Sequence, residues 1–254
     1  MGDLFNTAIY EPILNGLLYI QKVLPTHDMG LAIIVITLVI KGILYIPSLA
    51  AIRSSRQLQT LQPKLKALQA QYKNDREGLA KEQMKLYKDS KVNPLSSCLP
   101  ILIQLPILIG LYQVFFNGLK IDDQGLLVND QLDHVYHWLR DYYTTTPLNT
   151  LFLNFLDITK SHNVVLAILA GATQFWQSKM LAAPPEPKTS EARDEALTST
   201  MNRQMMYIFP VVTLVFTYTL PAALGLYWVA STAFTIVQQY IFLRSHKIAN
   251  GPTA

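Results

Sequence analysis

The sequence predicts an all-α, polytopic membrane protein, with a core of five transmembrane helices, a cytoplasmic helical hairpin, the N-terminus outside and the C-terminus inside. Three observations predict it. Half of the 254 residues are hydrophobic and only 15% are charged, against about 25% in an average soluble domain. Five segments are long and apolar enough, or nearly so, to cross a bilayer core, which takes about 20 helical residues. Finally, the basic residues crowd into one connecting loop, and such a bias sets orientation.

Residues 1–28 come first, too polar for a span. Leu4, Ala8, Leu14, Leu17 and Leu18 can share one helical face, while Asn6, Glu11, Asn15 and Lys22 lie elsewhere. This reads as an external amphipathic helix lying in the interface; a sixth span is the alternative, interrupted by Glu11 and Pro12. No Lys or Arg occurs in residues 1–21, so a charged signal-peptide n-region is not expected. Asn6 stands where a myristoylation motif takes Ser or Thr.

The first span is 29–50, charged only at Lys41. A loop, 51–94, carries ten basic residues, from Arg53 and Arg56 to Lys91, against Asp75, Glu77, Glu82 and Asp89. It is therefore placed in the cytoplasm. Within it Leu58, Leu61, Leu65, Leu68 and Tyr72 recur at three and four, and Ala80, Met84 and Tyr87 make a second stripe after the turn "KNDREG". The loop is thus a charged helical hairpin. It either only connects spans or docks a partner near anionic lipid.

The second span is 95–117. The loop 118–161 holds only Lys120, Arg140 and Lys160 among six acids, and so lies outside. Its Tyr136, Trp138, Tyr142 and Tyr143 read as interface anchors. The third span is 162–182 and a cytoplasmic loop occupies 183–203. The uncharged run 205–243 is too long for one span. "LPAALG" at 220–225 divides it into a fourth span, 204–220, and a fifth, 223–244, joined by a tight turn. A basic tail, 245–254, ends inside.

Lys41 poses the functional question. A lysine at a helix centre costs roughly 2.5–3.5 kcal/mol on insertion scales, and none of the five spans contains an acid to pair with it. Water or other polar groups must lower the cost. Thr37, Lys41 and Tyr45 share one helix face at i, i+4 and i+8. Trp228, Ser231, Thr232, Thr235 and Gln238 form a polar stripe in the fifth span. The third span offers Thr173, Gln174 and Gln177, the second Gln104 and Gln113. These could line one hydrated cavity around the lysine. For each alone, ordinary hydrogen bonding between membrane helices is the competing explanation; a lone intramembrane charge points to function by default.

Catalytic signatures are missing: no HExxH, no GxSxG, no P-loop and no intramembrane Asp pair. The chain reads as a non-enzyme without a cofactor. Its lone Cys98 reads as a buried structural thiol. His134 and His137 with Asp130 and Asp133 have metal-like spacing, but no metal site is expected there. An ion-coupled transporter usually shows an intramembrane acid or an inverted repeat, and the sequence has neither.

The segments "LQPKLKALQAQYKND", "LYKDSKVNPLSSCLPILIQLPILIGLYQVF" and "FPVVTLVFTYTLPAALGLYWVASTAFTIVQQYIF" strongly resemble the YidC family of membrane protein insertases, over about residues 29–243. The resemblance implies a five-span core in the bacterial plasma (inner) membrane, working as a monomer with no cofactor and no direct DNA contact. It implies a hydrated, positively charged groove, open to the cytoplasm and to lipid, into which a polar segment of a nascent membrane protein is drawn while its apolar segment passes into lipid. It implies that the cytoplasmic hairpin receives the substrate, and it brings in the Sec translocon, the ribosome and the signal recognition particle pathway as partners. Lys41 stands where the family typically has arginine. Thr37, Trp228 and Gln177 fall on groove positions, and Gln174 does so by weaker correspondence. Lysine keeps the charge but lacks the guanidinium fork and loses its proton more readily when desolvated. The tail, with Arg244, His246 and Lys247, is short beside the long basic tails of ribosome-binding relatives. Two other classes remain in play: a transporter or channel using Lys41 as an anion site, and a scaffold that binds membrane partners without inserting them.

Overall fold

The structure is a computed structural model that describes residues 3–73, 75–93, 99–181 and 196–249. Cys98, the start of the second predicted span, most of the loop 183–203 and the end of the tail lie outside the described residues.

The chain opens with α1 (Asp3–Phe5), a π turn (Asn6–Tyr10) and α2 (Glu11–Val23), then doubles back through a short turn into α3 (Met29–Ile43). Asp28 caps α3, its Oδ1 accepting from Leu31 N at 3.0 Å, which satisfies a free amide of the first turn. The apolar face expected of the N-terminal stretch forms in part. Leu14, Leu17 and Leu18 are fully buried, as expected, but Leu4 is 82% exposed, and Tyr10, Ile13, Asn15 and Gln21 join the buried face instead. That face packs on α3 and on α6 (Leu99–Gln113). Gly110 makes the close approach possible, since a Cβ there would stand 2.9 Å from both Ile9 and Ile13.

The predicted first span, 29–50, is broken. α3 ends at Ile43, and α4 (Tyr45–Gln71) leaves at 67°. Pro47 explains the position: it lacks an N–H and its ring collides with the carbonyl four residues back, Ile43. In the first turn of α4 the same residue is tolerated. α4 runs on to form a hairpin with α5 (Arg76–Asp89), whose first turn Asp75 caps through Gly78 N at 2.8 Å. Leu61, Leu65 and Val92 form the small hairpin core, with Leu58, Leu86 and Tyr87 against it. The second predicted stripe is therefore only partly right: Tyr87 packs, but Ala80 and Met84 are exposed.

After α6 and a π turn (Val114–Gly118), residues 119–161 fold into a compact cap. It contains α7 (Asn129–Leu132), α8 (His137–Tyr143) and an antiparallel pair, β1 (Leu151–Phe152) and β2 (Leu156–Asp157). Side chains spaced far along the sequence pin it to α2. Asn15 donates to His134 O at 2.9 Å and accepts from Tyr136 N at 2.7 Å, and the Tyr143 hydroxyl donates to Leu18 O at 2.6 Å. Of the four aromatics read as interface anchors, Tyr143 is fully buried, whereas Tyr136 and Trp138 are exposed.

α9 (Val164–Leu181), α10 (Ala196–Thr219) and α11 (Ala222–Ala249) complete the bundle, with α9 packed on both others and α11 on α3. The turn between α10 and α11 is only Leu220–Pro221. Gly225, expected in that turn, lies inside α11, where a Cβ would stand 2.7 Å from Thr217 Cγ2 and 3.2 Å from Leu166 Cβ. It is a packing glycine. The cap closes this end of α11: Ala222 N donates to Lys160 O and Ala223 N to Ile158 O, both at 2.9 Å.

No single helix among the described residues is long and apolar enough to cross a membrane unaided; the bent pair α3–α4 passes together, and Leu102–Phe116 and Met206–Thr219 are shorter apolar helices. Large apolar side chains stand exposed along the bundle, among them Ile43 and Ile46 beside the bend, Val165 and Ile168 on α9, and Ile208, Val211 and Val215 on α10.

Candidate functional site

α11 organises the candidate site, because its polar side chains address three neighbouring helices. Tyr227 meets α6, Gln238 meets the start of α4, and Trp228 and Thr232 meet α9.

Lys41 sits in the last turn of α3, one turn before the bend. Its Nζ donates to Gln104 Oε1 on α6 at 3.3 Å. Gln104 in turn donates from Nε2 to the hydroxyl oxygen of Tyr227. The partner shown for the ammonium is thus a neutral amide, and the Tyr227 side chain behind it is 2% exposed. Lys41 itself is half-buried. Three helices contribute one polar group each to this chain.

A second cluster lies between α11 and α9. Trp228 Nε1 donates to Gln174 Oε1 at 3.2 Å. The Thr232 hydroxyl lies 2.9 Å from the Thr173 hydroxyl and 2.8 Å from Trp228 O. A third lies at the bend: Ser48 Oγ donates to Gln238 Oε1 at 2.8 Å and Gln238 Nε2 donates to Tyr45 O at 3.2 Å.

The structure therefore brings the sequence-selected residues together unevenly. Lys41, Trp228, Gln174, Thr232 and Gln238 all make contacts between helices. Thr37 is 1% exposed and its hydroxyl donates to Ile33 O at 2.6 Å, within its own helix. Thr235 likewise donates to Ser231 O at 2.9 Å, and Ser231 is buried. Gln177 is half-buried one turn beyond Gln174. Tyr227 and Ser48 were not singled out by sequence reasoning. Tyr227 precedes Ser231 by four residues, so the helical period alone extends the polar stripe to it.

A second cation stands at the foot of the bundle. Arg56 on α4 donates from Nη2 to Met180 O at 2.7 Å, in the last turn of α9, and from Nη1 to Gln59 Oε1 at 2.8 Å. Burial lowers its pKa, yet a guanidinium starts so high that it stays charged at neutral pH. A positive charge against helix-terminal carbonyls is a favourable arrangement.

Away from these clusters, a cavity of about 400 Å³ lies between α2, α3 and α6, lined by residues such as Ile9, Pro12, Ile36 and Ile107. Its walls are apolar, and it offers no groups for chemistry. Among the described residues no cluster of three or more His, Cys, Asp or Glu could hold a metal.

The family described as "60Kd inner membrane protein" matches residues 19–249. A protein named membrane protein insertase YidC from Histophilus somni (strain 129Pt) is 34% identical over 236 residues, covering 93% of this chain and 37% of that protein. A protein of the same name from Francisella tularensis subsp. novicida (strain U112) is 34% identical over 220 residues, 87% of this chain and 33% of its own length. The chain spans about a third of the length of these relatives. Among solved structures, one titled "Active YidC insertase crystal structure with the first transmembrane domain resolved" superposes with a TM-score of 0.56 at 24% identity, over 91% of this chain and 46% of that one. That likeness is one of fold.

Proposed function

Because the chain belongs to the 60Kd inner membrane protein family, we propose that it is a membrane protein insertase and chaperone of a bacterial inner membrane. The observation that carries this reading is Lys41: a cation in an apolar helix whose partner is the neutral amide of Gln104. A cation satisfied by a carboxylate would have little left to offer. One held by an amide keeps most of its field, and can attract the polar or acidic segment of an incoming protein.

In this reading five spans, 29–50, 95–117, 162–182, 204–220 and 223–244, cross the bilayer with the N-terminus outside. The first spans it as the bent pair α3–α4. The α4–α5 hairpin faces the cytoplasm and receives the substrate, and there the Sec translocon, the ribosome and the signal recognition particle pathway would be met. Lys41 and the polar face of α11 (Trp228, Ser231, Thr232, Thr235 and Gln238), with Gln174 and Gln177 of α9 and Thr37 of α3, line the groove. A polar segment crossing hydrocarbon unaided pays several kcal/mol per charged group; a polar groove lowers that barrier by supplying partners. The apolar remainder moves along the exposed aliphatic side chains of α9 and α10 into lipid.

The test is reconstitution of the chain in liposomes with a single-span substrate. Insertion is expected, a photo-crosslinker at Trp228 should capture the substrate, and Lys41→Ala should lose insertion of substrates with an acidic leading segment. Solute flux without insertion would support a transporter or channel instead, and capture without insertion a scaffold.

A further inference from the structure

We propose that Gln104 is the positioning residue of the groove cation: its side-chain oxygen holds the Lys41 ammonium in the place that a substrate oxygen later takes, and Tyr227 anchors that amide from its other end. The proposal rests on the insertase reading of the same site and adds a residue and a device to it.

The geometry is directional. A glutamine side chain has one accepting and two donating positions on nearly superposable atoms. Turned one way it presents an oxygen to Lys41; turned the other it presents N–H groups to a cation. Here Oε1 accepts from Lys41 Nζ, 3.3 Å away, and Nε2 donates to the Tyr227 hydroxyl oxygen; since an ammonium only donates, the cation fixes which way the amide points. Tyr227 is itself fixed, since it is 2% exposed and held within the core. Turning the amide would place N–H groups against the ammonium, which can only donate, whereas the tyrosine hydroxyl, able to donate or accept, would keep a contact either way.

Neutrality matters as much as direction. The ammonium makes its hydrogen bond to either acceptor charge-assisted, but a carboxylate adds the attraction of a full negative charge, which an amide oxygen lacks. An amide oxygen occupies the cation while remaining the weaker competitor, so a carboxylate or an unpaired backbone carbonyl from an incoming segment can displace it. When the segment leaves, Gln104 takes the ammonium back. The exchange forms one hydrogen bond for each that it breaks and needs no energy source.

The experiment pairs insertion of a single-span substrate, in liposomes containing the full chain, with thermal unfolding of the same variants. Gln104→Glu replaces the weak competitor by a strong one. It should slow insertion about tenfold, the effect of 1.4 kcal/mol, and at the same time raise the unfolding temperature. Opposite movement of activity and stability is what a merely structural role would not give. Gln104→Leu should slow insertion about threefold, the size of an average hydrogen bond between membrane helices. Tyr227→Phe should slow it by less, with no further loss when added to Gln104→Leu, because the tyrosine acts through the amide. Normal insertion by Gln104→Glu, or losses that multiply in the double variant, would overturn the proposal. A wild-type chain that inserts nothing would overturn the insertase reading instead. The unfolding temperatures would then still report whether the effects of Lys41→Ala, Gln104→Leu and Tyr227→Phe depend on one another, and independence would overturn the positioning chain.

Discussion

Gln238, on the last helix, grips the bend in the first half of the chain from both sides of its hydrogen-bonding capacity. Its Oε1 accepts from Ser48 at 2.8 Å and its Nε2 donates to Tyr45 O at 3.2 Å, while the residue is 3% exposed. Tyr45 is the first residue of α4 and Ser48 lies in its first turn. The bend brings these groups to α11, and α11 in turn fixes the start of the hairpin helix.

Replacing Gln238 by Leu removes both bonds at nearly constant volume. At about 0.6 kcal/mol for an average interhelical hydrogen bond in a membrane bundle, the expected loss is about 1 kcal/mol. The bend should also loosen, so hydrogen exchange at the start of α4 should rise while exchange in α9 stays as it was. Equal acceleration in both helices would show that Gln238 supports the bundle generally and not the bend.

Asn15 plays the corresponding part at the other end. It is 2% exposed and bonds the backbone of the cap at two points, His134 O and Tyr136 N. Asn15→Leu keeps an apolar neighbour for the core but strands a backbone donor, at about 1–3 kcal/mol. The melting temperature should fall clearly, and proteolysis in residues 119–161 should speed up. Beside it, His134 Nδ1 stands 3.2 Å from Glu11 Oε1, a half-buried pair at the rim whose loss should cost less than that of the buried Asn15 bridge. The comparison Asn15→Leu against Glu11→Gln separates the buried bridge from the half-buried one.

Two glycines of α3 should respond in opposite ways to the same change. A Cβ on Gly30 would lie 2.4–2.6 Å from the Phe152 ring and its Cβ, so β1 must move; on Gly42 it would meet nothing within 4 Å. Gly30→Ala is expected to destabilise by about 1–3 kcal/mol. Gly42→Ala is expected to stabilise by about 0.5–1 kcal/mol, through the lower conformational freedom of the unfolded chain. Unfolding temperatures of the two variants decide it, and a common sign would mean that the contact of Phe152 with α3 is not what Gly30 serves.

What the sequence could and could not announce follows from distance along the chain. Lys41 stood out because a charge inside an apolar run is visible locally, and the stripe from Trp228 to Gln238 because it repeats with the helical period. The pairing of Trp228 with Gln174, or of Lys41 with Gln104, depends on which faces of separate helices meet, and no local pattern records that. The cap was hidden for the same reason: Asn15 and Tyr136 are 121 residues apart. Tyr143 and Trp138 lie five residues apart in one short helix, yet one is buried and the other exposed; composition made them look alike. Pro47 did mark the break after Ile43, but inside so apolar a run the length of the segment outweighed the proline. Gly225 looked like a turn residue beside Pro221 and proved to be a packing one. In both cases the residue type was informative and the partner it answered to was not.

Asp157 offers a test through pH. Burial works against its carboxylate, but the Thr159 hydroxyl and backbone N–H, at 2.6 and 3.1 Å, and Lys160 Nζ at 3.4 Å more than offset this and hold its pKa below the usual value. A carboxyl group whose pKa is lower in the folded chain stabilises the fold once it is ionised in both states, above the unfolded value of about 3.9. That contribution is lost as pH falls through the folded value. Asp157→Asn should therefore melt below wild type at pH 7, and the two melting curves should converge as the pH is taken below about 4. The site makes this informative, because the same turn delivers Ile158 O and Lys160 O to the first amides of α11. If the gap persisted unchanged in acid, the ionised carboxylate would not be what orders that turn, and the backbone contacts alone would account for how the cap closes α11.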